Sequence, residues 1–470
     1  MNTKETVKRA PTKPEAFSTL IILIAMIVAG TFAGVNVAPI LVLGTTWAMI
    51  IGRRCGLGWK ELEEAMVNKI SGLISVLLIL ITIGIMTATF MYSGTIPVFI
   101  FYLLKVVSPG MIVVLSFILC SVVACIIGTS WGTAGTIGVV MISLAQTLGV
   151  PMPLVAGAVI SGSHVGQILS PMADMTNLAA NLGETDLMIS IRRTCKYAVP
   201  ALVICLIFYT VLGVWGGRSA SSAENISAVS ESIETVFSTN PVVLLPLVVL
   251  LFLCLTKKPI APALLVSSML AVAIGMIFNG FSLTAGLNAA WSGFNLGSVT
   301  GMDVSGLSPT VITLVNRGGM TSWGNTILTL FCAMAYAGVM VAIGSIHVIV
   351  KATLSNVKSR VGLTVSTILV GILSAAATCS SYMALIIPTD LMKEKFVENG
   401  LTPRDLTSIA GSAAAIFMPV IPWNATTIYM EGISGVSVYQ YAPFAIFCWG
   451  TCLVAIGTAV IGYGFEKQNQ

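Results

Sequence analysis

Runs such as "TLIILIAMIVAG" (19–30), "LISVLLILITIGI" (73–85) and "YAVPALVICLIFYTVLGVW" (197–215) contain no Asp, Glu, Lys or Arg. They approach or reach the roughly 20 residues needed to cross about 30 Å of hydrocarbon. Lipid offers the backbone no hydrogen-bond partner, so such runs must satisfy their own N–H and C=O groups, as helices do. Charged residues make up only 9% of the chain, against about a quarter in soluble proteins, and the mean hydropathy is +0.97. The chain reads as an all-α polytopic membrane protein whose first partner is the lipid bilayer. A basic segment precedes the first run, but no small-residue cleavage site separates it from a soluble domain, so it is read as a retained helix.

The net charge of +5 comes from Lys and Arg in loops and does not describe a nucleic-acid surface. Ten cysteines are scattered through the chain without CxxC or Cys/His metal spacing, which suggests neither a disulfide frame nor a zinc site. No cofactor is implied. The remaining partners are small ions or a small organic solute, with a homodimer left open.

Two weakly similar halves are visible. "AGVNVAPILVL" (33–43) resembles "TKKPIAPALLV" (256–266), with Pro39 and Pro262 223 positions apart. "SGTIPVFIFYLL" (93–104) resembles "IGSIHVIVKATL" (343–354), with Gly94 and Gly344 250 apart; Gly149 and Gly400, and Pro171 and Pro422, are 251 apart. The jump in spacing puts an insertion in the second half, at the Gly- and Ser-rich segment 280–322. Residues 1–17 read as a cytoplasmic N-terminal segment, 18–218 as repeat 1, 219–240 as an extracytoplasmic linker and 241–467 as repeat 2.

Cytoplasmic loops are enriched in Lys and Arg. In the first half the basic places are the N-terminus (Lys4, Lys8, Arg9, Lys13), the segment Arg53, Arg54, Lys60 and Lys69, and Arg192, Arg193 and Lys196. In the second half the complementary loops are basic: Lys257 and Lys258; Lys351, Lys358 and Arg360; Lys393, Lys395 and Arg404. The halves therefore have inverted topology. With both termini in the cytoplasm, all of the 23 Lys and Arg except Lys105, Arg218 and Arg317 fall inside. A cell (inner) membrane location with many passes follows.

The same reasoning requires segments that enter the membrane and return. The apolar segment between the basic loops 351–360 and 393–404 must be one, and 111–148 is its counterpart. Each half thus holds about five crossings plus one re-entrant hairpin. The hairpin tips fall at "GTSWGTAG" (128–135) and "TCSSYM" (378–383). After each hairpin a crossing is interrupted midway, by "SHVGQILSPMADMTN" (163–177) and by "FMPVIPWNATT" (417–427). Backbone freed in this way is tolerated at membrane depth only where it is buried in protein or lines a cavity. Two tips and two broken helices meeting near the midplane make a candidate solute site.

Asp174 is the sharpest signal, since a carboxylate in a spanning segment costs about 3 kcal/mol or more unless a cation, proton or partner offsets it. Na⁺ favours hard oxygen ligands, and Asp174 and Thr176, with Ser170, Asn177 and the freed carbonyls near Pro171, supply them. The competing reading makes Asp174 a helix cap, with Thr176 and Asn177 as packing. Thr129 and Ser130 at the first tip, and Thr378, Ser380 and Ser381 at the second, lie where half-helices start and free N–H groups can hold an anion; small residues there also serve close helix packing. Gln167 and His164 precede the first break. His164 is read either as a proton relay or as a satisfied buried histidine. Trp423 and Asn424 occupy the second break. Asp303, Arg317, Glu431, Glu61, Glu63 and Glu64 are expected to face water.

Ser130 sits in a G-x-S-x-G pattern, which marks a hydrolase only on a strand–turn–helix. Here it lies inside an apolar hairpin, so the chain is not read as an enzyme and an intramembrane hydrolase stays a remote alternative.

The segments "GTSWGTAGTIGV" (128–139), "PLVAGAVISGSHVGQILSPMADMTNLA" (153–179), "GLTPRDL" (400–406) and "IPWNATTIYMEGISGVSVYQYAPFA" (421–445) resemble the NhaC family of Na⁺/H⁺ antiporters. The resemblance covers nearly the whole chain. It implies secondary active transport by alternating access, with Na⁺ and H⁺ as coupling ions, and relatives that exchange malate for lactate or carry amino acids. The chain departs from the family pattern where acidic residues are usual: Gln167, Ser380, and Gly411 with Ser412 stand there instead. Asp174 remains. At this level Na⁺/H⁺ antiport and coupled organic-acid or amino-acid exchange are both open.

Overall fold

The computed structural model describes residues 9–216, 223–256, 258–301, 306–353, 359–463 and 465. Lys4, Lys8, Arg218, Lys257, Asp303 and Lys358, used above for orientation or read as water-facing, lie outside these residues. The described residues form helices and no strand. In chain order, α1 is Lys13–Phe32, α2 Val37–Arg54, α3 Trp59–Ser71, α4 Ile74–Tyr92, α5 Thr95–Leu104, α6 Ile112–Ile127, α7 Ser130–Thr133 and α8 Val139–Thr147. Then come α9 Met152–Leu169, α10 Asp174–Leu182, α11 Leu187–Gly216, α12 Ala223–Val236, α13 Leu245–Leu255 and α14 Ile260–Phe278. The 280–322 segment forms three short helices, α15 Leu283–Ser292, α16 Leu296–Thr300 and α17 Pro309–Val315. The chain closes with α18 Gly324–Ile343, α19 Ser345–Thr353, α20 Arg360–Thr378, α21 Ser381–Glu398, α22 Pro403–Ile409, α23 Ala425–Ser434, α24 Val438–Tyr441 and α25 Ile446–Ile461.

Eight spans are long and apolar enough to cross a membrane, or up to 11 if three bent pairs each count as one. An all-α polytopic membrane protein is what the apolar runs required. Burial sorts the spans: 78% of the Met152–Leu169 span and 67% of Arg360–Thr378 are buried, against 28% of the window in Leu187–Gly216. The first two therefore form the centre, and α11 lies at the edge with Val211, Val214 and Trp215 exposed. In water such an apolar surface would drive association; in a bilayer it meets lipid tails.

Positive-φ residues recur at the spacing of the two similar halves. Left-handed residues occur at Gly128 and Cys379, at Gly149 and Gly400, and at Glu184 and Gly435, each pair 251 positions apart, and at Gly94 and Gly344, 250 apart. Both hairpins turn in the same way: α6 ends at left-handed Gly128, Thr129 is extended and α7 follows, while α20 ends at left-handed Cys379, Ser380 is extended and α21 follows. Each tip needs one residue at positive φ and one extended residue to reverse the chain in so little space. Close packing then sets the hairpin against its neighbour. A Cβ on Gly166 of α9 would lie 2.0 Å from the Ala124 carbonyl oxygen of α6, so only glycine lets these helices approach.

Arg317 and Glu431 do not face open water as the sequence suggested. Arg317, in the loop after α17, donates to Ser143 Oγ (3.1 Å) and to Gln146 Oε1 on α8. Its loop turns back onto α4, where Gly319 N–H donates to the Gly84 carbonyl (2.8 Å). Glu431 is half-buried and accepts from Val438 N–H (2.6 Å), bracing the turn into α24.

Candidate functional site

The two hairpin tips and the two interrupted helices converge on one cavity of about 410 Å³. Gly128, Thr129, Ser130 and Trp131 line it from the first tip; Cys379, Ser380, Ser381 and Tyr382 line it from the second. These are the same four positions of the repeat, 251 apart. The breaks contribute Gln167, Ala173, Asp174 and Met175 from one half and Met418, Ala425 and Thr426 from the other.

The first break is held open by its own side chains. Ser170 Oγ accepts from Met172 N–H (3.1 Å), Thr176 Oγ1 donates to the Gln167 carbonyl (3.2 Å), and Asn177 Nδ2 donates to the Pro171 (3.3 Å) and Ala173 (2.9 Å) carbonyls. The Gln167 carbonyl released by the end of α9 and the Pro171 carbonyl of the break thus find side-chain donors. The second break is tied to the second hairpin: Trp423 Nε1 donates to the Ala376 carbonyl (2.6 Å) and Asn424 Nδ2 to that of Ala375 (3.4 Å). Those carbonyls belong to the last turn of α20, which has no helical partners for them. Asn424 Oδ1 also caps α23 by accepting from Thr426 N–H (2.9 Å).

Among the residues singled out from sequence, the structure places Asp174, Gln167, Thr129, Ser130, Ser380 and Ser381 on the cavity wall. Thr176, Asn177, Ser170, Trp423 and Asn424 are engaged as just described and stand off it. Thr378 donates to the Ser374 carbonyl (2.6 Å). His164 is buried, with Nδ1 2.7 Å from the Ile160 carbonyl oxygen.

Asp174 is exposed to the cavity at the first position of α10, and Tyr382 Oη approaches its Oδ2 at 3.4 Å from across the site. Gln167 Oε1 is buried with no hydrogen-bond partner among the described residues. The sequence reading gave no site role to Asn68 and Lys69 of α3, which also line the cavity. Lys69 had been counted as a loop cation. A signal was present: Leu62, Ala65, Met66 and Lys69 follow the i, i+3, i+4, i+7 spacing of one helix face, and Leu62 on that face is fully buried.

A stack of aromatic rings runs back from Trp131 on the cavity wall. Trp131 and Tyr429 lie face to face, with centroids 4.2 Å apart and planes at 18°, and Trp323 continues the stack at 6.1 Å and 21° from Tyr429. The Tyr429 hydroxyl donates to the Trp131 carbonyl. No group of three or more His, Cys, Asp or Glu suited to a metal occurs among the described residues. The arrangement offers one carboxylate, hydroxyls and helix starts: a place for small ions or solutes.

Comparison with known proteins agrees with this arrangement. A model of the Na⁺/H⁺ antiporter family matches residues 5–171 and 164–463. A Haemophilus influenzae protein named as an uncharacterized Na⁺/H⁺ antiporter is 33% identical over 98% of both chains. The malate-2H⁺/Na⁺-lactate antiporter of Bacillus subtilis is 31% identical over 98% of this chain and 96% of its own, and the Na⁺/H⁺ antiporter NhaC of the same organism is 28% identical over 95% and 97%. These relatives are antiporters and not enzymes, and Ser130 lies at a hairpin of helices. The chain belongs to the Na⁺/H⁺ antiporter family.

Proposed function

We propose that the protein is a secondary transporter that exchanges Na⁺ for H⁺ by alternating access, with Asp174 as the group that holds one cation or the other. The observation that carries this reading is the position of Asp174: it is the only carboxylate on the wall of the cavity among the described residues, where both hairpins and both breaks meet. A carboxylate at such depth is tolerated when a cation or proton offsets it. The hydroxyls of Thr129, Ser130, Ser380 and Ser381 offer hard oxygens around it.

The pseudo-symmetry supports alternating access. Asn68, Lys69, Gly72 and Leu73 line the cavity. At the register of Gly94 and Gly344, 250 positions apart, their counterparts are Gly318, Gly319, Ser322 and Trp323, and there Trp323 stacks on Tyr429 instead. The two halves thus differ at equivalent positions. With inverted halves and both termini in the cytoplasm of a cell membrane, an exchange of these two arrangements between the halves would move the site from one face to the other.

The test uses the purified protein in liposomes that enclose a pH dye. A Na⁺ pulse is expected to move protons in the wild type and not in Asp174→Asn. Proton movement that persists in the variant would remove Asp174 from the role, and a silent wild type would remove Na⁺/H⁺ exchange.

A further inference from the structure

Trp131 of the first hairpin and Tyr382 of the second are 251 positions apart, and each is tied to the broken helix of the opposite half. The Trp131 carbonyl accepts from the Tyr429 hydroxyl of α23, while Tyr382 Oη donates to Asp174 Oδ2 at the start of α10 (3.4 Å). The two ties differ in kind. A backbone carbonyl has no charge to gain or lose, whereas a carboxylate accepts most strongly when it is bare and ionised. The tie at Trp131 is therefore indifferent to the transported ion, and the tie at Tyr382 depends on what Asp174 carries.

The surroundings fit a contact that is made and broken. Tyr382 and Asp174 both lie on the cavity wall, where an ion arrives, and Tyr382 is 43% exposed, with room on its open side to turn. Among the described residues no other hydrogen bond joins the first break to the second tip. Further along, α21 is held just past the end of α10 by the ion pair of Lys393 and Glu184 (2.6 Å), whose members lie off the cavity wall. The second tip is fastened to its own half: Trp423 and Asn424 donate to the carbonyls of Ala376 and Ala375, and Cys379 Sγ lies 3.6 Å from the Trp423 carbonyl oxygen. A movement of the second half as one body would thus separate Tyr382 from Asp174.

An exchanger needs a contact of this type. If the empty protein could turn its site from one face to the other, an ion carried across would be followed by an empty return, and the two flows would lose their link. The empty site must be held and the filled one let go. A cation or proton on Asp174 removes the bare charge to which Tyr382 donates, and a hydrogen bond deprived of its charge keeps about half its strength. We infer that Tyr382 makes the exchange obligatory: its bond to empty Asp174 holds the second hairpin to the first break, and an ion on Asp174 releases it. This rests on Asp174 being the carrier group, as proposed above. Tyr382 is a positioning residue that acts through Asp174.

Full-length protein in liposomes is tested as wild type, Tyr382→Phe and Asp174→Asn, with labelled Na⁺ and the internal pH recorded together and K⁺ with valinomycin holding the membrane potential at zero. Tyr382→Phe keeps the ring and removes the donor, so saturable Na⁺ movement should persist while the protons moved per Na⁺ fall. A pH gradient imposed without Na⁺ should decay about tenfold faster than with the wild type, the scale of one hydrogen bond to a charged group, because the proton-loaded and the empty forms can then both cross. A merely structural loss would lower Na⁺ and proton movement together at an unchanged ratio, and that result overturns the inference, as does a Tyr382→Phe protein coupled as tightly as the wild type. A second measurement needs no variant: amide hydrogen exchange of the wild type over residues 378–385, in NaCl against choline chloride at alkaline pH. Release of the tip predicts faster exchange in NaCl, and equal or slower exchange overturns it. These results leave Na⁺/H⁺ exchange standing. A wild type that moves no protons in answer to Na⁺, or an Asp174→Asn protein that still does, overturns the reading of Asp174 and the inference with it.

Discussion

Thr176 and Thr427, 251 positions apart, make the same hydrogen bond. Each hydroxyl donates to the carbonyl nine residues earlier, Gln167 at 3.2 Å and Met418 at 3.1 Å. The bond spans the interruption in each broken helix; in the first it satisfies a carbonyl that α9 has released, and in the second it joins Ile421 N–H on the Met418 carbonyl. Its recurrence in both halves assigns Thr176 to the frame.

Thr176→Val and Thr427→Val should therefore both destabilise, Thr176→Val the more. Each keeps the side-chain shape; Thr176→Val strands the Gln167 carbonyl, at a cost of about 1–3 kcal/mol, whereas the Met418 carbonyl still accepts from Ile421 N–H (3.0 Å), so Thr427→Val should cost less. The expected result is a lower unfolding temperature for both, with little change in the Na⁺ concentration that half-saturates proton exchange. Weakened Na⁺ dependence in Thr176→Val with unchanged stability would make the hydroxyl an ion ligand.

Gly128 and Gly400 separate backbone strain from crowding. Both have positive φ, but a Cβ on Gly128 would lie 2.8 Å from the Met172 carbonyl carbon, whereas one on Gly400 meets nothing within 4 Å. Gly400→Ala should cost only the left-handed conformation, about 1–2 kcal/mol, and leave transport intact. Gly128→Ala should cost more and abolish transport by pushing the tip away from the break. Equal losses in unfolding experiments would show that crowding at the tip is relieved cheaply.

Arg193 and Asp405 join α11 to α22 through an ion pair of 2.8 Å with side chains 6% and 1% exposed. Removing one partner leaves a buried charge, so Asp405→Asn or Arg193→Met should destabilise by about 3–5 kcal/mol. The double variant Arg193→Met/Asp405→Leu should recover part of this in a thermal double-mutant cycle. The recovery will be incomplete, because Asp405 Oδ2 also accepts from Thr402 N–H (3.1 Å) and Oγ1 (2.7 Å) at the start of α22.

Tyr429 holds the aromatic stack to the first hairpin through the Trp131 carbonyl. Tyr429→Phe removes the hydroxyl and keeps the ring, so exchange should persist at reduced coupling. Tyr429→Ala removes the barrier, and liposomes carrying it should leak Na⁺ without moving protons in return. A tight, active Tyr429→Ala would place the seal elsewhere.

Much of the architecture was legible because lipid leaves a chain few choices. Apolar runs had to become helices, and proline and polar residues inside them had to mark breaks. The division of labour at the breaks was hidden, since a polar side chain beside freed backbone can either face the solute or close the gap, and composition is the same in both cases. Asn177, Trp423 and Asn424 closed gaps; Asp174 and Gln167 did not. Lys69 was missed because a lysine between two spans resembles any cytoplasmic loop cation, and only its register with Leu62, Ala65 and Met66 marked its face. Arg317 was missed because a Gly-rich insertion reads as an exposed loop, while Gly318 and Gly319, both at positive φ, turn it back against α4.

At the place in the second half that corresponds to Asp174 stands Ala425, and opposite Gln167 stands Met418. The frame is duplicated while its furnishing is one-sided. A solute lying in it has a polar neighbour at one end and a plain one at the other, so the site has a head and a tail. Whatever binds there is presented to the two faces of the membrane in a fixed orientation, and a mirror-image solute of the same size would have to choose which end to leave unmatched. Handedness of the cargo is thus expected from a scaffold that is nearly symmetric in its bones.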